Sequence, residues 1–242
     1  IMNKTLLLLV IAGLSVKVYC SDKDPVFNTD SLKQLNTTSF IFVEGPAWDS
    51  AKYVYFSDIP AKKIYRYSKA DGIEVFVNND VGTNGIIHTP DSLIVCENGG
   101  LRVSSFSFEG NQMNILSDGI GEDNFNGPND LVMDESGGIY FTDPAFGNQS
   151  IPEESVYYVD NDGLTSRVIN DLGKPNGVVI SPDGKKLIVN DTYDENVYCW
   201  DITSPGVVEN MRVFCNLTMD PSKGDESGAD GMAYDKLGNL YI

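Results

Sequence analysis

The chain has 242 residues, with 17 Lys and Arg against 35 Asp and Glu, one His, and a formal charge of −18. Hydrophobic residues make up 41% and charged residues 21%, which is ordinary globular usage and enough for a sizeable core. The charge excludes nucleic acid and anionic membrane as partners, because phosphate binding needs stripes of Lys and Arg. The lone His88 excludes a His-rich zinc site, and a Ser-His-Asp triad would have to use it. A metal would have to be held mostly by oxygens.

The first segment reads as an address. Met2 and Lys4 precede an apolar run over residues 6–14, and residues 15–20 end in Val18-Tyr19-Cys20. That is the layout of a secretory signal, too short to span a bilayer. The expectation is a signal peptide at 1–20 and a secreted product, extracellular or periplasmic, made of one partial domain at 21–242. Tyr19 argues against the rival reading of a lipid anchor on Cys20. Residues 22–42 are expected to supply an outer strand.

One motif then recurs. A polar residue, usually followed by Gly, opens an apolar stretch, and a turn leads into a second, apolar-aromatic strand. The copies start at Glu44-Gly45-Pro46-Ala47-Trp48, Asn84-Gly85-Ile86-Ile87, Asn129-Asp130-Leu131-Val132-Met133, Asn176-Gly177-Val178-Val179-Ile180 and Asp230-Gly231-Met232-Ala233-Tyr234. The starts are 40, 45, 47 and 54 residues apart. Second strands are predicted at 53–57, 93–97, 138–143, 186–191 and 239–242. The intervening turns are built from Asp, Ser, Pro and Gly. Third and fourth strands follow, as at 64–67 with 74–77 and at 197–202 with 212–215.

Short strands, closely spaced turns and a four-strand unit of about 45 residues describe propeller blades. No stretch keeps a helical apolar period. The expected fold is all-β, a six-bladed β-propeller, C-terminally truncated with about five blades present. A β-sandwich would not produce the repeating start. In a propeller the first strand of each blade lines the central channel. Glu44, Asn84, Asn129, Asn176 and Asp230 should therefore point at one axis from one end. Two carboxylates and several amide oxygens suit a hard cation such as Ca²⁺. Without it, Glu44 and Asp230 would repel each other and one would be pushed toward protonation. Any single start read alone is also an ordinary turn, Asn-Gly above all.

At these residues the chain resembles the gluconolactonase, senescence-marker and luciferin-regenerating family of six-bladed propellers. The resemblance runs from about residue 38 to 242. It rests on Phe42-Val43-Glu44-Gly45-Pro46-Ala47-Trp48, Tyr55-Phe56-Ser57-Asp58-Ile59-Pro60, Gly127-Pro128-Asn129-Asp130, Tyr140-Phe141-Thr142-Asp143-Pro144, Lys174-Pro175-Asn176-Gly177, Ser181-Pro182-Asp183 and Asp230-Gly231-Met232, all in order. It implies a divalent metal, most often Ca²⁺ with Zn²⁺, Mn²⁺ or Mg²⁺ as alternatives, held by Glu44, Asn129, Asn176 and Asp230. It implies Asp230 as the general acid/base, and Asn129, Asn84 and Asp143 as substrate contacts. Gly127 departs from the Arg that some members carry there, which bears on preference for aldonolactones.

The implied reaction is metal-assisted opening of a lactone ring. A related esterase or phosphotriesterase and a non-catalytic binding propeller are the alternatives, the latter because Tyr-Phe-Ser/Thr-Asp strands also resemble those of receptor propellers. The implied partner is a small lactone or ester. Elsewhere the sequence leaves a Cys199–Cys215 disulfide and two free thiols equally open. It places sequons at Asn36, Asn148, Asn190 and Asn216, an exposed His88 in a turn, and Trp48 and Trp200 in strand packing.

Overall fold

The computed structural model describes residues 39–78, 81–146, 153–217 and 228–242. Blade 1 is formed by β1 (Val43–Trp48), β2 (Val54–Asp58), β3 (Lys63–Ser68) and β4 (Gly72–Asn78). Blade 2 holds β5 (Ile86–His88), β6 (Leu93–Glu97), β7 (Arg102–Phe106) and β8 (Gln112–Ser117). Blade 3 holds β9 (Leu131–Met133), β10 (Ile139–Asp143), β11 (Ser155–Val159) and β12 (Thr165–Ile169). Blade 4 holds β13 (Pro175–Ile180), β14 (Lys186–Asp191), β15 (Asn196–Ser204) and β16 (Val207–Asn216). A two-stranded sheet of β17 (Ala233–Tyr234) and β18 (Leu240–Tyr241) follows. Each blade is an antiparallel meander in chain order, and the described residues contain no α-helix. The blade rhythm read from the sequence therefore holds: four complete blades and two strands of a fifth. The expected outer strand falls mostly outside the described residues.

Both faces of blades 2, 3 and 4 are covered, which is why their inner strands read as apolar runs. Tyr140 and Phe141 are adjacent on β10, so they point to opposite faces. Phe141 joins Cys96, Val103, Phe125 and Tyr157 between blades 2 and 3. Tyr140 joins Tyr158, Val178, Leu187 and Trp200 between blades 3 and 4. Ala47, Tyr55, Ile64, Ile86 and Leu93 fill the first junction. Val179, Ile188, Val197 and Cys199 meet Met232, Tyr234 and Leu240 at the last. Burying one such side chain contributes about 1.5–3 kcal/mol.

Aspartates hold the backbone at both ends of the blades. At the turn between first and second strands, Asp134 Oδ1 accepts the amides of Ser136 and Gly138 at 2.8 and 3.0 Å. Asp49 and Asp235 do the same in their own turns. At the other end, the last residue of the second strand braces the segment entering the first. Asp58 accepts from the amides of Ile41 and Phe42, Asp143 from Asn126 and Gly127, and Asp191 from Gly173 and Lys174. In each case the amides lie three and two residues before a blade start. Blade 2 departs from this pattern. Its Glu97 turns outward along the sheet to Arg102, Ser104 and Gln112.

Other expectations resolve here. Bulges in the β15–β16 ladder put Cys199 opposite Arg212 and Cys215 opposite Val197, so both thiols are free, as is Cys96. His88 is half-buried at the end of β5 rather than exposed. It is stacked on Phe108 at 5.1 Å and Tyr55 at 6.4 Å. Trp200 is packed as expected, but Trp48 is 51% exposed. Asn36 and Asn148 lie outside the described residues, Asn190 is fully buried, and Asn216 is exposed.

Candidate functional site

The five blade starts lie at one end of the molecule because every first strand runs the same way. Asn84, Asn129, Asn176 and Asp230 are each seated by the blade before. The Gly85 amide donates to the Asn129 carbonyl at 2.8 Å. A Cβ on Gly45 would collide with the Asn84 carbonyl, and one on Gly177 with the Asp230 carbonyl. Gly45, Gly85 and Gly177 are thus the close-approach points between blades. Blade 3 has Asp130 in that position. Its carboxylate instead takes the amides of Leu131 at 2.9 Å and of Val178, in the next blade, at 3.1 Å.

A second set of polar groups comes from the second strands. Ser57 Oγ donates to the Asn84 carbonyl at 2.9 Å and lies 3.1 Å from the Glu44 carbonyl. Thr142 Oγ1 donates to the Asn176 carbonyl at 2.7 Å. Asn190 Nδ2 donates to the Asp230 carbonyl, and its Oδ1 accepts the Gly177 amide at 3.1 Å. Ser57, Thr142 and Asn190 hold equivalent positions, each followed by a bracing aspartate.

The side chains of the starts make one electrostatic neighbourhood. Asn84, Asn129 and Asn176 are buried, Glu44 is half-buried, and Asp230 is open on one side. Burial pushes the Glu44 carboxyl well above its usual range, and the charges of Asp230 and Asp130 push it further. Burial raises Asp130 to about 7 against two backbone hydrogen bonds. Asp230 is raised by the protein around it, less so because the Asn176 amide and the Gly231 backbone bond to it. None of the three pairs with a described Lys or Arg. Negative charge gathered without a counter-charge is unfavourable unless something cationic joins it.

Asn176 carries the sharpest sign. Its Nδ2 donates to Thr192 Oγ1 at 3.1 Å and reaches toward the Ala229 carbonyl at 3.5 Å. Its Oδ1 is buried and has no partner. Buried amide oxygens are nearly always satisfied, so this one fits an ion. Among the described residues no three His, Cys, Asp or Glu side chains form a metal cluster. A set of two carboxylates and two amides, as in Glu44, Asn129, Asn176 and Asp230, has the oxygen chemistry of a Ca²⁺ site without needing a third acid.

Asp143 is placed differently. Both of its oxygens are taken by backbone amides, at 2.9 and 2.7 Å, and burial raises it to about 6. Asp130 was missed by the sequence reading. Its one signal was the break in the Gly pattern at Asn129-Asp130. A shallow groove of about 460 Å³ between blades 3 and 4, lined by turn residues such as Asp134, Ser181 and Pro205, lies at the opposite end.

The SMP-30/Gluconolactonase/LRE-like region matches residues 42–242. The chain belongs to this family. A relative within its reach is a gluconolactonase of Zymomonas mobilis, 26% identical over 244 residues, covering 90% of this chain and 68% of that protein. A diisopropyl-fluorophosphatase of Loligo vulgaris is 31% identical over 128 residues, covering 48% of this chain and 40% of that one. Among solved structures, a gluconolactonase of Xanthomonas campestris superposes with a TM-score of 0.74 at 25% identity, covering 83% of this chain and 69% of that one. The blade starts described above all fall inside the family match.

Proposed function

We propose that the protein is a divalent-metal-dependent hydrolase that opens a lactone ring. The observation that carries this is the unpartnered Asn176 Oδ1 beside carboxylates that have no counter-charge. Glu44, Asn129, Asn176 and Asp230 would hold the ion, with Ca²⁺ the best fit. When bound, the ion would supply Lewis-acid polarisation of the lactone carbonyl.

The chain's own residues do the rest. Asp230, the carboxylate of the last blade start, takes the proton of the attacking water and returns it to the leaving alkoxide. Asn129 and Asn84 orient the ring through their amides. Asp143 acts at a distance, by bracing the loop that delivers Asn129. Residues 1–20 would direct the protein to secretion, so the substrate is a small lactone or ester met outside the cytoplasm. The gluconolactonase relatives support the lactone class, and the fluorophosphatase relative keeps a phosphotriester in the test panel.

The experiment is a substrate panel of sugar lactones, an aryl ester and a phosphotriester, each with and without chelator. Lactone opening that collapses with chelator and returns with Ca²⁺ is the expected result. Calorimetry that finds no divalent ion bound would instead favour a non-catalytic binding propeller.

A further inference from the structure

The last two residues of β14 and the Thr192 that follows them bond the chain at and around both candidate ligands of the last junction. Asn190 bonds the Asp230 carbonyl through Nδ2 and the Gly177 amide through Oδ1. Asp191 accepts the amides of Gly173 and Lys174 at 2.6 and 2.9 Å, which fixes the segment leading into Asn176. Thr192 Oγ1 accepts from Asn176 Nδ2 at 3.1 Å and donates to the Ala229 carbonyl at 2.9 Å, one residue before Asp230. The Thr192 amide also donates to the Lys174 carbonyl at 2.9 Å.

We infer that Asn190-Asp191-Thr192 is the positioning element of the axial site: it sets Asn176 and Asp230 relative to each other and orients the Asn176 amide so that its oxygen faces the ion. The reasoning is geometric. An amide has one donor end and one acceptor end. Thr192 engages the donor end together with the Asp230 carboxylate, which leaves Oδ1 turned away and unpartnered. The hydroxyl then reaches into the next blade, so the orientation of Asn176 and the height of Asp230 are tied through a single oxygen. Ser57 and Thr142 bond only backbone at the blade starts, Ser57 the Asn84 and Glu44 carbonyls and Thr142 the Asn176 carbonyl and the Asp130 amide. At this junction the amide of Asn190 takes that place, and the Thr192 hydroxyl is added to it, bonding the ligand's own side chain.

The same tripeptide spells an N-glycosylation sequon. Asn190 is fully buried with both ends of its amide bonded to backbone, so the fold uses it for positioning and closes it to modification.

This inference rests on the metal reading above, and its test separates the two. Ca²⁺ affinity is measured by calorimetry on wild type, Thr192→Val, Thr192→Ser, Asn190→Ala and Val189→Ala. Val189 is a fully buried neighbour that faces the core, so its truncation lowers stability without touching the clamp. Hydrogen exchange of residues 228–234 is followed in the metal-free proteins. Thr192→Val and Asn190→Ala should weaken Ca²⁺ binding at least tenfold and speed exchange at 228–234. Thr192→Ser should stay within threefold of wild type. Val189→Ala should lower the unfolding temperature but keep the affinity. Wild type binding Ca²⁺ with Thr192→Val and Asn190→Ala binding equally well would overturn the positioning role alone. Wild type binding no divalent ion would overturn both readings. Affinity loss in Val189→Ala equal to that in Thr192→Val would reduce the tripeptide to general stability.

Discussion

The backbone amide of Gly85 bonds the carbonyl of Asn129 at 2.8 Å, so a candidate ligand of blade 3 is seated by the blade before it. A Cβ on Gly85 would stand 2.6 Å from that same oxygen and 2.9 Å from Leu131. Gly85→Ala should therefore push two blades apart, with a loss on the order of 3 kcal/mol. Gly72→Ala, where a Cβ meets nothing but φ is +76°, should lose only about 1 kcal/mol. Thermal unfolding of the two variants side by side checks the contrast.

Removing charge from the axial set should separate stability from binding. Glu44 is disfavoured as an anion by burial and by Asp230 and Asp130. Glu44→Gln should raise the unfolding temperature of the metal-free protein, yet abolish the stabilisation that wild type gains on adding Ca²⁺. An equal Ca²⁺-induced shift in both proteins would remove Glu44 from the ligand set.

Asp143 gives a pH signature. Burial raises its folded pKa to about 6 from an ordinary 3.8. Between those values the folded state holds a proton that the unfolded state has released. Stability contributed by this group is therefore greatest at low pH and falls as pH rises toward 6, by a total on the order of 2–3 kcal/mol. Asp143→Asn should flatten that slope. Because both oxygens are engaged by the backbone, it should also change the KM for a lactone less than Asn129→Ala does.

The thiols give a chemical check. Cys96 and Cys199 are buried and Cys215 is partly open, with no disulfide among the described cysteines. Reductant should leave the unfolding temperature unchanged. A slow thiol reagent should label Cys215 in the native protein, and reach Cys96 and Cys199 only after unfolding.

Much of this was legible in the sequence, because a repeat reports the same physics several times. The second strands at 93–97 and 186–191 match β6 and β14 to the residue. The blade starts were legible because a polar residue before Gly recurs wherever two backbones meet. Asp130 was not, since it differs from its counterparts, and a repeat hides what departs from it. The bracing role of Asp58, Asp143 and Asp191 was not legible either. A carboxylate beside a site looks the same in sequence whether it faces a substrate or a main-chain amide. Register was likewise invisible at Cys199 and Cys215, where bulges moved a cross-strand pair out of step.

Part of the acidity of this chain is architectural. Asp49, Asp58, Asp134, Asp143, Asp160, Asp191 and Asp235 all cradle peptide nitrogens at recurring positions. A repeated backbone brace repeats its acid, so blades 1, 3 and 4 each carry negative charge for a structural reason. An engineer who neutralised these aspartates to improve solubility or charge balance would be unpicking the stitching of the wheel.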